Sequence, residues 1–154
     1  MNRDAMESLV VFTLDSEKCA LPSSVVERVV RAVEVTPCPG APALVLGLIN
    51  VQGSVVPAFD LRARFGLPAR AISLSDHMIL ARTESRCVAL LANEVCEVTE
   101  PNKYKLILGE AMPPEARLFE GILKLSGEIV LIHDLSRLLS PEEESQLETA
   151  MQKP

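Results

Sequence analysis

Short apolar runs alternate with polar, glycine- or proline-bearing breaks along the chain, a spacing that predicts strands and turns rather than long helices. The clearest pair flanks Gln52-Gly53: Leu46 to Val51 and Val55 to Phe59 read as two strands joined by a tight turn. Gly53 supplies the positive φ that residues with a Cβ avoid. Asp60 then caps a short helix from Leu61 to Phe65, which Gly66 stops. The pattern recurs. Residues 47–66 read GLINVQGSVVPAFDLRARFG, and residues 121–140 read GILKLSGEIVLIHDLSRLLS. An ungapped offset of 74 sets Gly47 on Gly121, Gly53 on Gly127, Val56 on Val130, Asp60 on Asp134 and Leu61 on Leu135. A weaker echo precedes each copy, KCALPSSVVERVV from Lys18 and RCVALLANEVCEV from Arg86. The chain is therefore read as two copies of one small β unit, too few for a solenoid.

The remaining elements follow from the same pattern. Leu9 to Leu14 and Lys18 to Leu21 form a hairpin around Asp15-Ser16-Glu17. Pro22, Ser23 and Ser24 open a brief helix, with Ser24 and Glu27 spaced as a capping box and Val25, Val26 and Val29 as its apolar stripe. Valine-rich sequence then returns the chain to strand up to Thr36. Pro37, Pro39, Gly40 and Pro42 make a rigid connector, and Leu67 to Asp76 is the polar seam between the halves. His77 to Arg82 and Cys87 to Ala92 open the second copy around Thr83, Glu84 and Ser85. Glu100 to Arg117 is the longest irregular stretch, with one short strand near Tyr104 to Leu108. The tail is a helix: Ser140 caps it, Pro141 takes the first position, Glu142 to Glu144 suit the dipole, and Leu147, Ala150 and Met151 dock on a barrel.

Composition narrows the class. With 154 residues, 48% hydrophobic, 3% aromatic and no Trp, the core must be built from aliphatic side chains, which suits narrow barrels. A net charge of −6 argues against nucleic acid and anionic membranes as partners, and the small Lys103-Tyr104-Lys105 cluster reads as a solvated loop. The amino terminus, with acidic residues on both sides of a short apolar run, reads as neither signal peptide nor membrane span, so a soluble cytoplasmic protein is expected. Cys19, Cys38, Cys87 and Cys96 lack paired spacing and read as small buried hydrophobes, and His77 and His133 belong to no metal pattern. His133, in the place held by Phe59 in the first copy, reads as a part-buried packing residue. No nucleophile elbow, phosphate loop or dinucleotide fingerprint is present, so no catalytic, cofactor-binding or metal residue is assigned.

The order of these elements, with VVFTLDSEKCALP, VLGLINVQGSVVPAFDLRARFGL and GILKLSGEIVLIHDLSRLLSPEE, resembles the CheW family of bacterial chemotaxis coupling proteins. The likeness runs from about Leu9 to Met151 and is most specific in the glycine, Asn50, Gly53, Val-Val-Pro and Asp60-Leu61 of the central motif. It implies a mainly β fold of two five-stranded Src-homology-3-like β-barrels packed side by side, with short helices and a C-terminal helix. It further implies one CheW-like domain over residues 8–151 with halves of about 9–75 and 76–151, between which strands can exchange.

The function so implied is that of a non-catalytic scaffold coupling the cytoplasmic tip of chemoreceptors to the regulatory domain of a CheA-type histidine kinase, at receptor arrays on the inner face of the membrane. Other CheW-like proteins are further partners, and nucleic acid and direct membrane insertion are not expected. The alternative within the family is a coupler of a non-flagellar sensory array serving motility, development or second-messenger control. Asn50, Val51, Gln52 and Gly53 carry over as the receptor-contacting turn. Val33 and Val35, on the Val29 to Val35 strand edge, and Gly121 and Gly127, on the second hairpin, are the candidate kinase face. One departure stands out: the family usually has Arg where this chain has Gln52, which keeps hydrogen-bonding capacity but loses charge and fork geometry.

Overall fold

The computed structural model describes residues 7–68, 70–100, 105–107 and 119–152. Its strands are β1 (Leu9–Leu14), β2 (Glu17–Pro22), β3 (Val26–Arg31), β4 (Val45–Val51), β5 (Ser54–Phe59), β6 (His77–Arg82), β7 (Cys87–Ala92), β8 (Glu94–Thr99), β9 (Lys105–Ile107), β10 (Phe119–Leu125) and β11 (Glu128–His133). One α-helix among the described residues, α1 (Pro141–Gln152), follows. The strand anticipated near Tyr104 to Leu108 is β9; the rest of Glu100 to Arg117, apart from Glu100, lies outside the described residues, as do Lys103, Tyr104 and the first six residues.

The fold is mainly β, in two sheets. One has six strands in the order β8-β1-β2-β11-β10-β9, the other five in the order β3-β6-β7-β5-β4. Neither order returns to its first strand, so both sheets are open among the described residues. The two orders are the same plan. Each sheet takes its opening hairpin from one copy of the sequence repeat and its glycine-turn hairpin from the other, joined by a short parallel pairing: Leu131 with Cys19 and Ile132 with Ala20, or Ala58 with Ala89 and Phe59 with Leu90. Even β9 has a counterpart, since Thr36 bridges Leu48 on the outer edge of β4 just as Ile107 pairs with Ile122, residue 48 plus the repeat offset, on β10.

This exchange explains the apolar runs. β1, β2, β6 and β7 are buried on both faces, hence nearly continuous in Val, Leu, Ile and Ala rather than alternating. Their outer faces fill two small cores. One holds Leu9, Val11, Ala20, Leu123, Val130 and Ile132, the other Ile49, Val56, Met78, Leu80, Ala89 and Leu91. Their inner faces meet in a third and larger core containing Phe12, Leu14, Cys19, Leu21, Phe59, Ile79 and Leu90, sealed by Leu135, Leu138, Leu139 and Leu147. Burying side chains of this size stabilises by about 1.5–3 kcal/mol each, so the inter-sheet core is a main source of cohesion.

Three local expectations are corrected. The segment after Pro22 forms one 3-10 turn, Ser23–Val25, and β3 begins at Val26, because β-branched Val25, Val26 and Val29 fit a pleated edge better than a helix. The capping box is not made: the Ser24 amide and hydroxyl donate to Glu7, and Glu27 accepts from Cys87 Sγ. β3 also stops at Arg31, short of Thr36. The chain there crosses from β3 to β4, with the Ala32 amide donating to the Asp76 carbonyl and the Thr36 amide to that of Leu48. Val33 and Val35 thus lie beyond the strand.

Of the cysteines only Cys19 is buried, Cys38 and Cys87 are half-buried and Cys96 is exposed. The C-terminal signals act as read: Ser140 Oγ accepts from the Glu143 amide at 3.1 Å, and the Glu143 carboxylate from the Ser140 amide at 3.0 Å. Asp60 and Asp134 likewise accept from the amides of Arg62 and Ser136, each at 3.0 Å.

Candidate functional site

The turn between β4 and β5 places Gln52 at φ 50° and Gly53 at φ 89°, the left-handed pair that two-residue hairpins require. Asn50 Oδ1 accepts from the Gly53 amide at 2.9 Å, so this amide side chain stiffens the turn it precedes. Asn50, Gln52 and Gly53 are exposed, and Val51 is half-buried against the core beneath. Gly47, at the base of the hairpin, is fixed by close approach: a Cβ there would lie 2.3 Å from the Thr36 carbonyl oxygen. The equivalent turn, Ser126-Gly127, repeats the geometry at φ 53° and 80°. Lys124 replaces Asn50 there, so the second turn has no side-chain brace of this kind.

The structure separates the remaining sequence-predicted residues. Val33 is 42% exposed, Val35 packs half-buried beside Gly47, and Gly127 is exposed. Gly121 is buried, at a bulge in the β10–β11 register, and offers a partner no surface. Four exposed apolar residues escaped sequence reasoning: Val55 at 57%, Ile129 at 51%, Val98 at 59% and Leu74 at 87%. Val55 and Ile129 occupy matching positions, one residue before buried Val56 and Val130. Both stand at the turn end of their strands, whose first two residues are exposed while residues further along are buried. β3 and β8 are the outer strands of their sheets, and β3 presents Val29 at 38% exposure.

Behind these surfaces a polar network ties the sheets together. Arg62, only 2% exposed, reaches from the turn after β5 to the Asp15 carboxylate in the β1–β2 turn. The Asp15 amide donates to Asn93 Oδ1, and Arg70 grips Asp76 with nitrogens 2.9 and 3.1 Å from its two oxygens. Burial pushes the Asp76 carboxyl up, but the hydrogen bonds from Arg70 and the Ser73 amide, with the charges of Arg70 and Arg62, hold it below its ordinary value. His133 is buried against Phe12, ring centroids 6.1 Å apart; desolvation, helped by Arg64, pushes it down to about 4, so it is neutral at physiological pH. Among the described residues no group of His, Cys, Asp or Glu is placed to hold a metal, and no helix is long and apolar enough to cross a membrane.

The CheW-like domain model matches residues 8–143. The chain is 29% identical over 140 residues to the chemotaxis protein CheW of Rhizobium meliloti, covering 88% of each chain. It is 24% identical over 138 residues to that of Thermotoga maritima, covering 88% of this chain and 91% of the relative. A crystal structure of the scaffolding protein CheW from Thermoanaerobacter tengcongensis superimposes with a TM-score of 0.75 at 27% identity, over 93% of this chain and 94% of that one. With sequence, sheet plan and relatives in accord, the chain belongs to the CheW-like domain family.

Proposed function

We propose that this protein is a non-catalytic adaptor that holds the cytoplasmic tip of a chemoreceptor and the regulatory domain of a CheA-type histidine kinase in one complex in the cytoplasm. The observation that carries this is the doubled plan: two like sheets, each exposing a glycine-turn hairpin with one outward apolar residue, Val55 or Ile129. Two like surfaces on one rigid body can serve two neighbours at once, which is what a coupler needs. The Asn50–Gly53 turn, with Val51 at its base, is the receptor side. The exposed Ser126-Gly127 turn and the Val29–Val33 margin are the kinase side, with Val35 holding that margin to the core. Where the family resemblance implies a charged fork, Gln52 offers an uncharged amide, which suits a receptor surface without a matching carboxylate.

The test is co-purification with the histidine kinase and receptor encoded beside it, comparing Val55→Asp with Ile129→Asp. Each change should weaken one complex at least tenfold and spare the other. Unchanged binding to both partners by both variants would remove the reading.

A further inference from the structure

The internal repeat makes a comparison available inside one molecule. In the first copy, the capped turn after β5 sends Arg62 into the space beside the β1–β2 turn, where it pairs with Asp15. In the second copy the same capped turn follows β11, and Ser136 stands at the position of Arg62. Its hydroxyl folds back to Asp134 at 2.6 Å. Among the described residues no hydrogen bond or ion pair joins this turn to the facing β6–β7 turn. A cavity of about 270 Å³ is left, lined by Thr83, Glu84, Ser85, Ser136 and Glu144 over a floor that includes Phe59 and Leu139. A second cavity of about 160 Å³ adjoins it, sharing Thr83, Glu84 and Ser136.

We propose that this cavity receives an arginine side chain from a protein partner, which does there what Arg62 does in the first copy. Charge supports the occupant. Glu84 is exposed and makes no hydrogen bond or ion pair among the described residues. Glu144 accepts from Ser85 Oγ at 3.2 Å on the cavity wall and keeps only a long ion pair with Arg86, at 4.0 Å. Arg86 is held chiefly by Glu148 at 2.8 Å, and Arg137 pairs with Asp134. Arg82 lines only the adjoining cavity. The walls therefore carry two carboxylates and hydroxyl acceptors around an apolar floor, which matches a guanidinium on an aliphatic stem. The volume falls below the range of drug-sized pockets and suits a single side chain. That a protein supplies the arginine rests on the scaffold reading above, whereas the site itself is tested without any partner.

The test is a titration of the ¹⁵N-labelled protein with N-acetyl-argininamide at low salt, with N-acetyl-citrullinamide as the neutral isostere. Saturable amide shifts are expected at Thr83, Glu84, Ser85 and Ser136, at least tenfold weaker with citrulline. Ser136→Arg, which supplies the missing side chain internally, should abolish them, and Glu84→Gln, on an exposed turn where folding is not at stake, should weaken them at least threefold. Equal response to both probes, shifts scattered over the acidic surface, or undiminished shifts in Glu84→Gln would overturn the proposal.

Discussion

Lowering the pH from 7.5 to 5 should cost this protein about 2 kcal/mol of stability, and most of that loss should vanish in His133→Phe. The ring is buried and its pKa is pushed from an ordinary 6.5 down to about 4. The unfolded chain therefore takes up a proton on this residue near pH 6.5, while the folded chain resists until about pH 4. Between those values the unfolded state binds more protons, so stability falls as pH falls, at up to about 1.4 kcal/mol per pH unit. Integrated, the loss is about 2 kcal/mol at pH 5 and roughly 3 kcal/mol at pH 4. Asp76 does not confuse this window, because its carboxyl is held below 3.8 and its contribution is lost only in stronger acid. The assay is urea unfolding followed by circular dichroism, where about 2 kcal/mol moves the midpoint by roughly 1 M. His133→Phe copies the residue that the first half carries at this place, Phe59, and should stay within about 1.5 kcal/mol of the parent at pH 7.5. A parent and variant whose stabilities decline in parallel between pH 6.5 and 4.5 would refute the reasoning.

Other perturbations discriminate strain from surface. Gly47→Ala drives a Cβ into the Thr36 backbone and should destabilise by more than 3 kcal/mol, whereas Gly127→Ala, with open space around it, should cost only the roughly 1–2 kcal/mol of a left-handed residue; thermal unfolding of the two compares them directly. Arg62→Ala empties a buried position and leaves exposed Asp15 only its longer contact with Arg70 at 3.9 Å, and should cost about 2–4 kcal/mol, while Arg62→Met, which refills the space, should recover part of it, as chemical denaturation of both variants would show. Gln52→Arg should leave stability unchanged, and receptor pull-down should show equal or weaker binding to the cognate receptor; much stronger binding would show that Gln52 is no adaptation to that receptor.

The repeat, the glycine turns and the aspartate caps could all be read from residues, because each is a local pattern with a local physical cause. Pairing between copies could not. Periodicity says which face of a strand is buried, and is silent on which strand lies beside it, so the parallel pairing of Cys19 with Leu131 left no mark in either segment. Near Ser24 two local signals conflicted, a capping spacing and a run of branched side chains. The edge position beside β6 decided for the strand. At the candidate surface the turn was legible from Gln52-Gly53, whereas Arg62 was not: a basic residue in a short turn reads as solvated, and only the facing Asp15, brought from a distant turn, makes its burial tolerable. Val55 and Ile129 lay hidden inside apolar runs, and only their place beside the exposed turns sets them apart.

The exchange of hairpins between halves also governs how the molecule is made. During synthesis β1 and β2 leave the ribosome first, yet the strand that β2 must meet, β11, is the last to be made. The first hairpin therefore waits, with edges unsatisfied, until β11 is made, a high-contact-order route that is slow and exposed to intermolecular strand capture. By the same logic a cut at the seam yields two fragments that are each unfinished and mutually complementary, able to rebuild the native body only by finding one another.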